Sequence, residues 1–191
     1  FVCVDTSGSM NSSVTGNSAT PSKVTCVQVA GLFASSILRH NPNTKVIPFD
    51  TRVHLVSLNP RDSVMTNAQK LNSGGGGTDC ACALRHINQN NGRGDYVVFI
   101  SDNESWSGSG YYKNQGNTGL MQEWKIFKSR NPNAKLICID ITPSSTSQSK
   151  PEKDVLQVGG FSDNVYETIA SFLESSEKDH WIKKIEEIKV I

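Results

Sequence analysis

The chain lacks any apolar run approaching the roughly 18 residues of a membrane span, so no helical span is expected among its 191 residues. It also lacks a dominant charge. Nineteen Lys and Arg against 18 Asp and Glu leave a formal charge of +1, far from the basic footprint of a dedicated nucleic-acid binder. Cysteine is sparse and odd in number: Cys3, Cys26, Cys80, Cys82 and Cys138 cannot all pair. Cys3, Cys26 and Cys138 sit inside apolar runs, as small buried hydrophobes do. The expectation is reduced thiols in a cytoplasmic protein. Cys80-x-Cys82 has the wrong spacing for a zinc pair. No initiator Met and no charged leader precede Phe1-Val2-Cys3-Val4, which reads as a domain taken from a longer chain.

Catalytic signatures are missing as well. There is no G-x-S-x-G elbow. The four glycines Gly74–Gly77 are followed by no G-K-[ST], which argues against a phosphate loop. No His is placed to activate Ser7 or Ser9. Aspartyl phosphotransfer at Asp5 would want a helper acid two residues on, where Ser7 stands. The function expected is therefore interaction rather than catalysis.

The composition that remains, 36% hydrophobic and 19% charged, is that of an ordinary folded domain. Three runs are apolar at nearly every position: Phe1–Asp5, Asp95–Ser101 and Ala134–Thr142. Continuous runs of this kind suit strands buried on both faces. Between them lie helical stretches: Lys23–His40 capped by Ser22, with Thr25, Gln28, Ser35 and Arg39 as its polar face; a short helix around Val64–Leu71; Asp79 capping a helix to about Asn90; Gly119–Arg130; and a stripe at Val165, Ile169, Phe172 and Leu173. Lys45–Asp50 and Arg52–Leu58 predict an antiparallel pair, and Lys153–Gly159 a last strand. The fold class expected is a three-layer α/β/α sandwich, a Rossmann-like, mostly parallel sheet with one antiparallel edge strand. The segment 176–191, with Trp181, Ile182, Ile185 and Ile188, reads as a tail that docks elsewhere in a parent protein.

Ligands of parallel sheets bind outside the carboxyl ends of the strands. After the first strand comes Asp5-Thr6-Ser7-Gly8-Ser9, before the Asp79 helix comes Gly76-Gly77-Thr78-Asp79, and after Asp95–Ser101 comes Asp102-Asn103-Glu104-Ser105. Two acids, Asp5 and Asp102, and three hydroxyls, Ser7, Ser9 and Thr78, thus converge on one edge. All are hard oxygen donors suited to Mg²⁺ or Mn²⁺. Asp79 is read as a helix cap and Glu104 as solvated or capping. The aromatic loop holding Trp106, Tyr111 and Tyr112 lies beside this edge and offers anchors for a partner. Because Asp5 ends a strand on a solvent-facing edge, its replacement by alanine is expected to remove metal and leave the fold intact.

Strand-D-x-S-x-S, then G-T-D opening a helix, then a strand-ending Asp resembles the metal-ion-dependent adhesion site of von Willebrand factor A domains, over about residues 1–175. The G-G-T-D-C at Gly76–Cys80, the S-D-N-E-S at Ser101–Ser105 and the K-L-I-C-I-D-I-T at Lys135–Thr142 resemble more narrowly the A domain of the Ro (TROVE) ribonucleoprotein family. The resemblance implies direct metal ligation by Ser7, Ser9 and Thr78, with Asp5 and Asp102 holding metal-bound waters or alternating into contact. It implies a partner protein whose acidic side chain completes the metal shell. It also implies a noncoding RNA bound by a helical ring outside this chain, for which the domain is otherwise a brace or a minor contact surface.

Overall fold

The computed structural model describes residues 1–15, 22–71, 75–102, 119–142 and 153–174. The described residues form five strands, β1 (Val2–Asp5), β2 (Val46–Phe49), β3 (Tyr96–Ser101), β4 (Lys135–Asp140) and β5 (Val155–Gly159), and five α-helices, α1 (Cys26–His40), α2 (Val64–Lys70), α3 (Cys80–Gln89), α4 (Gly119–Arg130) and α5 (Asp163–Glu174), in the chain order β1-α1-β2-α2-α3-β3-α4-β4-β5-α5. The strands form one sheet in the order β2-β1-β3-β4-β5. Every pairing is parallel.

Strand periodicity divides the core into two layers. Cys3, Ile47, Phe49, Val97, Phe99, Leu136 and Cys138 face one side, where they pack with Cys80, Leu84 and Ile87 of α3 and Trp124 and Phe127 of α4. Val2, Val4, Val98, Ile100, Ile137 and Ile139 face the other, against Val27, Ala30, Phe33 and Ala34 of α1 and Val165 and Phe172 of α5. Both faces are covered, as the unbroken apolar runs require. Helix α2 packs outside α1: a Cβ on Gly31 would come within 3.1–3.2 Å of Ala68, so the glycine permits the close approach. Ser35, one turn further along α1, is buried and does not belong to the polar face expected of it.

Two local expectations are corrected. Helix α1 begins at Cys26, not Lys23. Thr25 is its N-cap, with its N–H held by the Gln28 side chain at 3.1 Å, while the Ser22 hydroxyl accepts from Val24 N–H in the turn before.

The antiparallel edge strand at 52–58 does not form; it meets β2 only at a Phe49–Val53 bridge. The His54 N–H donates to Pro48 C=O and the Asp50 N–H to Arg52 C=O. The two reciprocal bonds are blocked. Pro48 has no N–H, and the Arg52 N–H is taken by the Asp50 carboxylate at 3.0 Å. Beyond the bridge the segment leaves the sheet, and Leu55 is 91% exposed.

All five cysteines are buried and none forms a disulfide. Burial pushes the Cys3 and Cys82 thiols up to about 12, so neither is a thiolate at neutral pH. Among the described residues, no helix is long and apolar enough to cross a membrane.

Candidate metal centre at the carboxyl edge of the sheet

Strands β2 and β3 flank β1, and the chain leaves β1 toward β2 before crossing back to β3. The carboxyl ends of β1 and β3 at this reversal are the usual ligand position in such sheets. Asp5 ends β1 there and Asp102 follows β3.

Asp5 is fully buried, contrary to the solvent-facing position expected for it. Its Oδ1 accepts from the Ser7 N–H at 2.8 Å and its Oδ2 from the Ser101 hydroxyl at 2.7 Å. Burial pushes its pKa up and the neighbouring Asp102 charge adds to this, while the Ser7 and Ser101 hydrogen bonds oppose it. The Asp5–Ser7 bond folds the D-x-S-x-S segment into a turn. Ser7 leads into a short 3-10 turn over Gly8–Asn11, and this turn brings the Ser7 and Ser9 hydroxyls 3.2 Å apart. Thr6 faces away and anchors the segment, its N–H and hydroxyl both donating to Phe49 C=O.

Thr78 is half-buried in the loop before α3. Main-chain bonds of its neighbours tie this loop to the group: the Gly8 N–H donates to Gly76 C=O at 2.9 Å, and Asp79 N–H to Asp50 C=O at 2.9 Å. Asp79 caps α3, its side chain accepting from Ala81 N–H, as its place before the helix predicts. Asp102 is buried, and its Oδ1 meets no hydrogen-bond partner among the described residues.

The structure thus gathers Asp5, Ser7, Ser9 and Asp102 at one edge and tethers the Thr78 loop to them. Trp106, Tyr111, Tyr112 and Glu104, and the tail from 176 to 191, lie outside the described residues.

The donor set fits a hard divalent cation. An orphaned carboxylate oxygen in a buried setting costs about 1–3 kcal/mol or more, and a cation or its bound water removes that cost. Hydroxyls and carboxylates are what Mg²⁺ and Mn²⁺ prefer. Among the described residues no three His, Cys, Asp or Glu side chains form a metal cage; a cation held here would need hydroxyls for the rest of its shell.

Three neighbouring residues escaped the sequence reading. Ser101 bridges β3 to Asp5. Asp50, at the end of β2, carries the loop of Thr78 on its carbonyl, and its Oδ2 lies 2.9 Å from His54 Nε2. A Cβ on Gly76 would approach that same Oδ2 to 3.4 Å, so the Asp50–His54 pair forms a wall of the loop. Asp140, ending β4, is the third. Applied to β2 and β4, the strand-end logic that selects Asp5 and Asp102 would have selected Asp50 and Asp140.

Burial acts to raise the Asp50 pKa, but the Arg52 N–H and His54 outweigh it and the net shift is downward. A depressed carboxylate stabilises the fold above its unfolded value near 3.9 and loses that contribution as the pH falls through the lower folded value. His54→Ala is therefore expected to weaken Mn²⁺ binding about tenfold, through the Thr78 loop, with less than about 1 kcal/mol lost in stability at pH 7. Mn²⁺ titration beside thermal melts checks both, and unchanged affinity would remove His54 from the site's support.

Residues 1–173 match the family model described as the Ro60 vWA domain. The RNA-binding protein RO60 of Deinococcus radiodurans is 29% identical over 163 residues, covering 84% of this chain and 29% of that protein. The crystal structure of the Deinococcus radiodurans RO (RSR) protein shares the fold with a TM-score of 0.69 at 22% identity, over 90% of this chain and 33% of that one. The chain spans about a third of the length of these relatives.

Proposed function

The chain belongs to the Ro60 vWA domain family, and on that premise we propose that it is a non-catalytic, divalent-metal-dependent binding module of a cytoplasmic RNA-binding protein. Mg²⁺ or Mn²⁺ would be held by the Ser7, Ser9 and Thr78 hydroxyls, with Asp5 and Asp102 acting mainly through metal-bound water. The observation that carries this is the buried Asp102 Oδ1, without a partner among the described residues, at the same sheet edge as the paired Ser7 and Ser9 hydroxyls.

The division of labour follows from charge. Neutral hydroxyls leave the charge of the cation available, and Mg²⁺ commonly completes its shell with a ligand from outside the domain. A carboxylate from a partner protein is the natural occupant of that position. The cation supplies the charge the carboxylate is drawn to. The protein's part is to hold its own donors fixed: Asp5 locks the Ser7 turn, Thr6 pins it to β2, and Gly76 ties the Thr78 loop to Gly8. RNA would be bound by parts of the parent protein outside this chain, since the chain's near-neutral charge gives little attraction to phosphate.

Binding of metal and carboxylate must be reciprocal. Acetate is expected to tighten Mn²⁺ binding, and Mn²⁺ to be required for acetate binding, as read by calorimetry. Mn²⁺ binding that ignores acetate would contradict the docking role. Salt-sensitive RNA binding by this domain alone, indifferent to chelator, would make it an RNA contact surface instead.

A further inference from the structure

We propose that Asp140 is an additional acid of the metal centre, one that strengthens cation binding from beyond the direct ligands and weakens the docking of a carboxylate. This rests on the metal-dependent reading of the edge formed by β1 and β3. It adds a residue from a third strand, β4, which the D-x-S-x-S, Thr and Asp pattern does not contain.

Placement comes first. Ser101 pairs with Asp140 in the β3–β4 register, and Asp5 pairs with Phe49 in the β1–β2 register. Val4 pairs with Ile100, which sets Asp5 beside Ser101. Asp5, Ser101 and Asp140 therefore form one row across the carboxyl edge, their side chains on the same face of the sheet. The Ser101 hydroxyl is committed to Asp5. Asp102 stands next to Asp140 at the adjoining strand end, where the Ile141 N–H donates to Ser101 C=O and the Thr142 hydroxyl to Asp102 C=O.

The second observation concerns unmet bonding capacity. Asp102 is only 7% exposed, and its Oδ1 is buried without a partner; Asp140 Oδ1 is likewise buried without a partner among the described residues. Two neighbouring strands thus each end in a carboxylate oxygen with no donor among the described residues. Among the described residues the Thr142 N–H favours the Asp140 charge, while these two oxygens meet no donor. No lysine or arginine forms an ion pair with either among the described residues. A divalent cation with its waters supplies both the positive charge and the missing donors.

The consequence is a balance of charges. Asp5 and Asp102 alone neutralise a divalent cation, and Asp140 takes the loaded centre to a net charge of −1. The extra charge attracts the cation and repels an incoming carboxylate. One substitution should then move the two affinities in opposite directions, which a purely structural role would not do.

The test uses Asp140→Asn, nearly the same shape without the charge, and Asp140→Ser as a second variant. Mn²⁺ is titrated calorimetrically, and acetate is then titrated into the Mn²⁺-saturated protein. Expected are about five- to tenfold weaker Mn²⁺ binding and about threefold tighter acetate binding in both variants. Unchanged Mn²⁺ affinity, in variants whose circular dichroism matches wild type, overturns the role of Asp140 and leaves the centre standing. So do affinities that fall together. Absence of Mn²⁺ binding in the wild type with saturating acetate present overturns the centre itself and Asp140 with it.

Discussion

Asp5→Asn is expected to lower Mn²⁺ affinity by about 100-fold, at the upper end of what supporting groups around a metal contribute, with the fold intact. The substitution keeps the shape and both contacts. The amide oxygen still accepts from the Ser7 N–H, and the amide nitrogen faces the Ser101 hydroxyl, which has lone pairs to accept with. What disappears is the buried negative charge. Burial already disfavours that charge, as the raised pKa of Asp5 shows. The metal-free variant should therefore melt no lower than wild type, and the whole effect should appear in metal binding.

Alanine at the same position is a poorer probe. It leaves the Ser7 N–H and the Ser101 hydroxyl without their acceptor in a fully buried place, at about 1–3 kcal/mol for each. The loss of metal would then be confounded with a loosened turn. An Asp5→Asn protein that binds Mn²⁺ like wild type would exclude Asp5 from the centre, whatever its stability.

Phe99→Ala is expected to do the reverse. Phe99 is fully buried in the central strand, with its ring edge-on to Phe49 at 5.8 Å. Truncation removes an aromatic side chain from the layer formed with α3 and α4 and leaves a cavity, at about 3–5 kcal/mol. For a chain of this size that corresponds to a melting-point fall of roughly 6–20 °C. Phe49 C=O holds Thr6 through main-chain geometry, which the cavity does not remove. Below its lowered melting temperature the variant should thus still bind Mn²⁺ within a few-fold of wild type. Calorimetric melts and a Mn²⁺ titration at about 15 °C, near the usual temperature of maximum stability, separate the two readouts. A drop in melting point of under about 2 °C would mean that the layer between sheet and α3–α4 is not the main core on that side.

These opposite outcomes reflect what the sequence makes legible. The three continuous apolar runs announce β1, β3 and β4, because strands buried on both faces must be apolar at every position. The helix over Gly119–Arg130 and the cap at Asp79 come from local periodicity and from the N–H groups a helix start leaves free.

The absence of a hairpin after β2 is not legible as pattern. Arg52–Leu58 has the composition of a strand, and what stops it is the missing N–H of Pro48 together with the carboxylate of Asp50 capturing Arg52. Both are hydrogen-bond events that hydropathy does not encode. The start of α1 is ambiguous in sequence for a related reason: Ser22 and Thr25 are both good caps, and the reach of Gln28 back to Thr25 favours the later one.

At the site, Asp5, Ser7, Ser9 and Asp102 are legible because they stand at or just beyond the carboxyl ends of apolar runs, and the sheet order brings them together. Their supports are not. Ser101 reads as the last residue of a strand, and Asp50, His54 and Asp140 gain meaning only when β2 and β4 take their places beside β1 and β3. That Asp5 is buried, not solvent-facing, is also hidden: the sequence shows a strand end but not that the Ser7 turn and Ser101 close over it.

The most direct test of the metal centre is a calorimetric titration of Mn²⁺ into the wild-type domain beside Asp5→Asn, both in chelator-treated buffer at pH 7. The predicted result is saturable binding of one ion by the wild type and its loss in the variant, with matching circular dichroism spectra. Equal binding by the two proteins, or none by the wild type in the presence of saturating acetate, would contradict it.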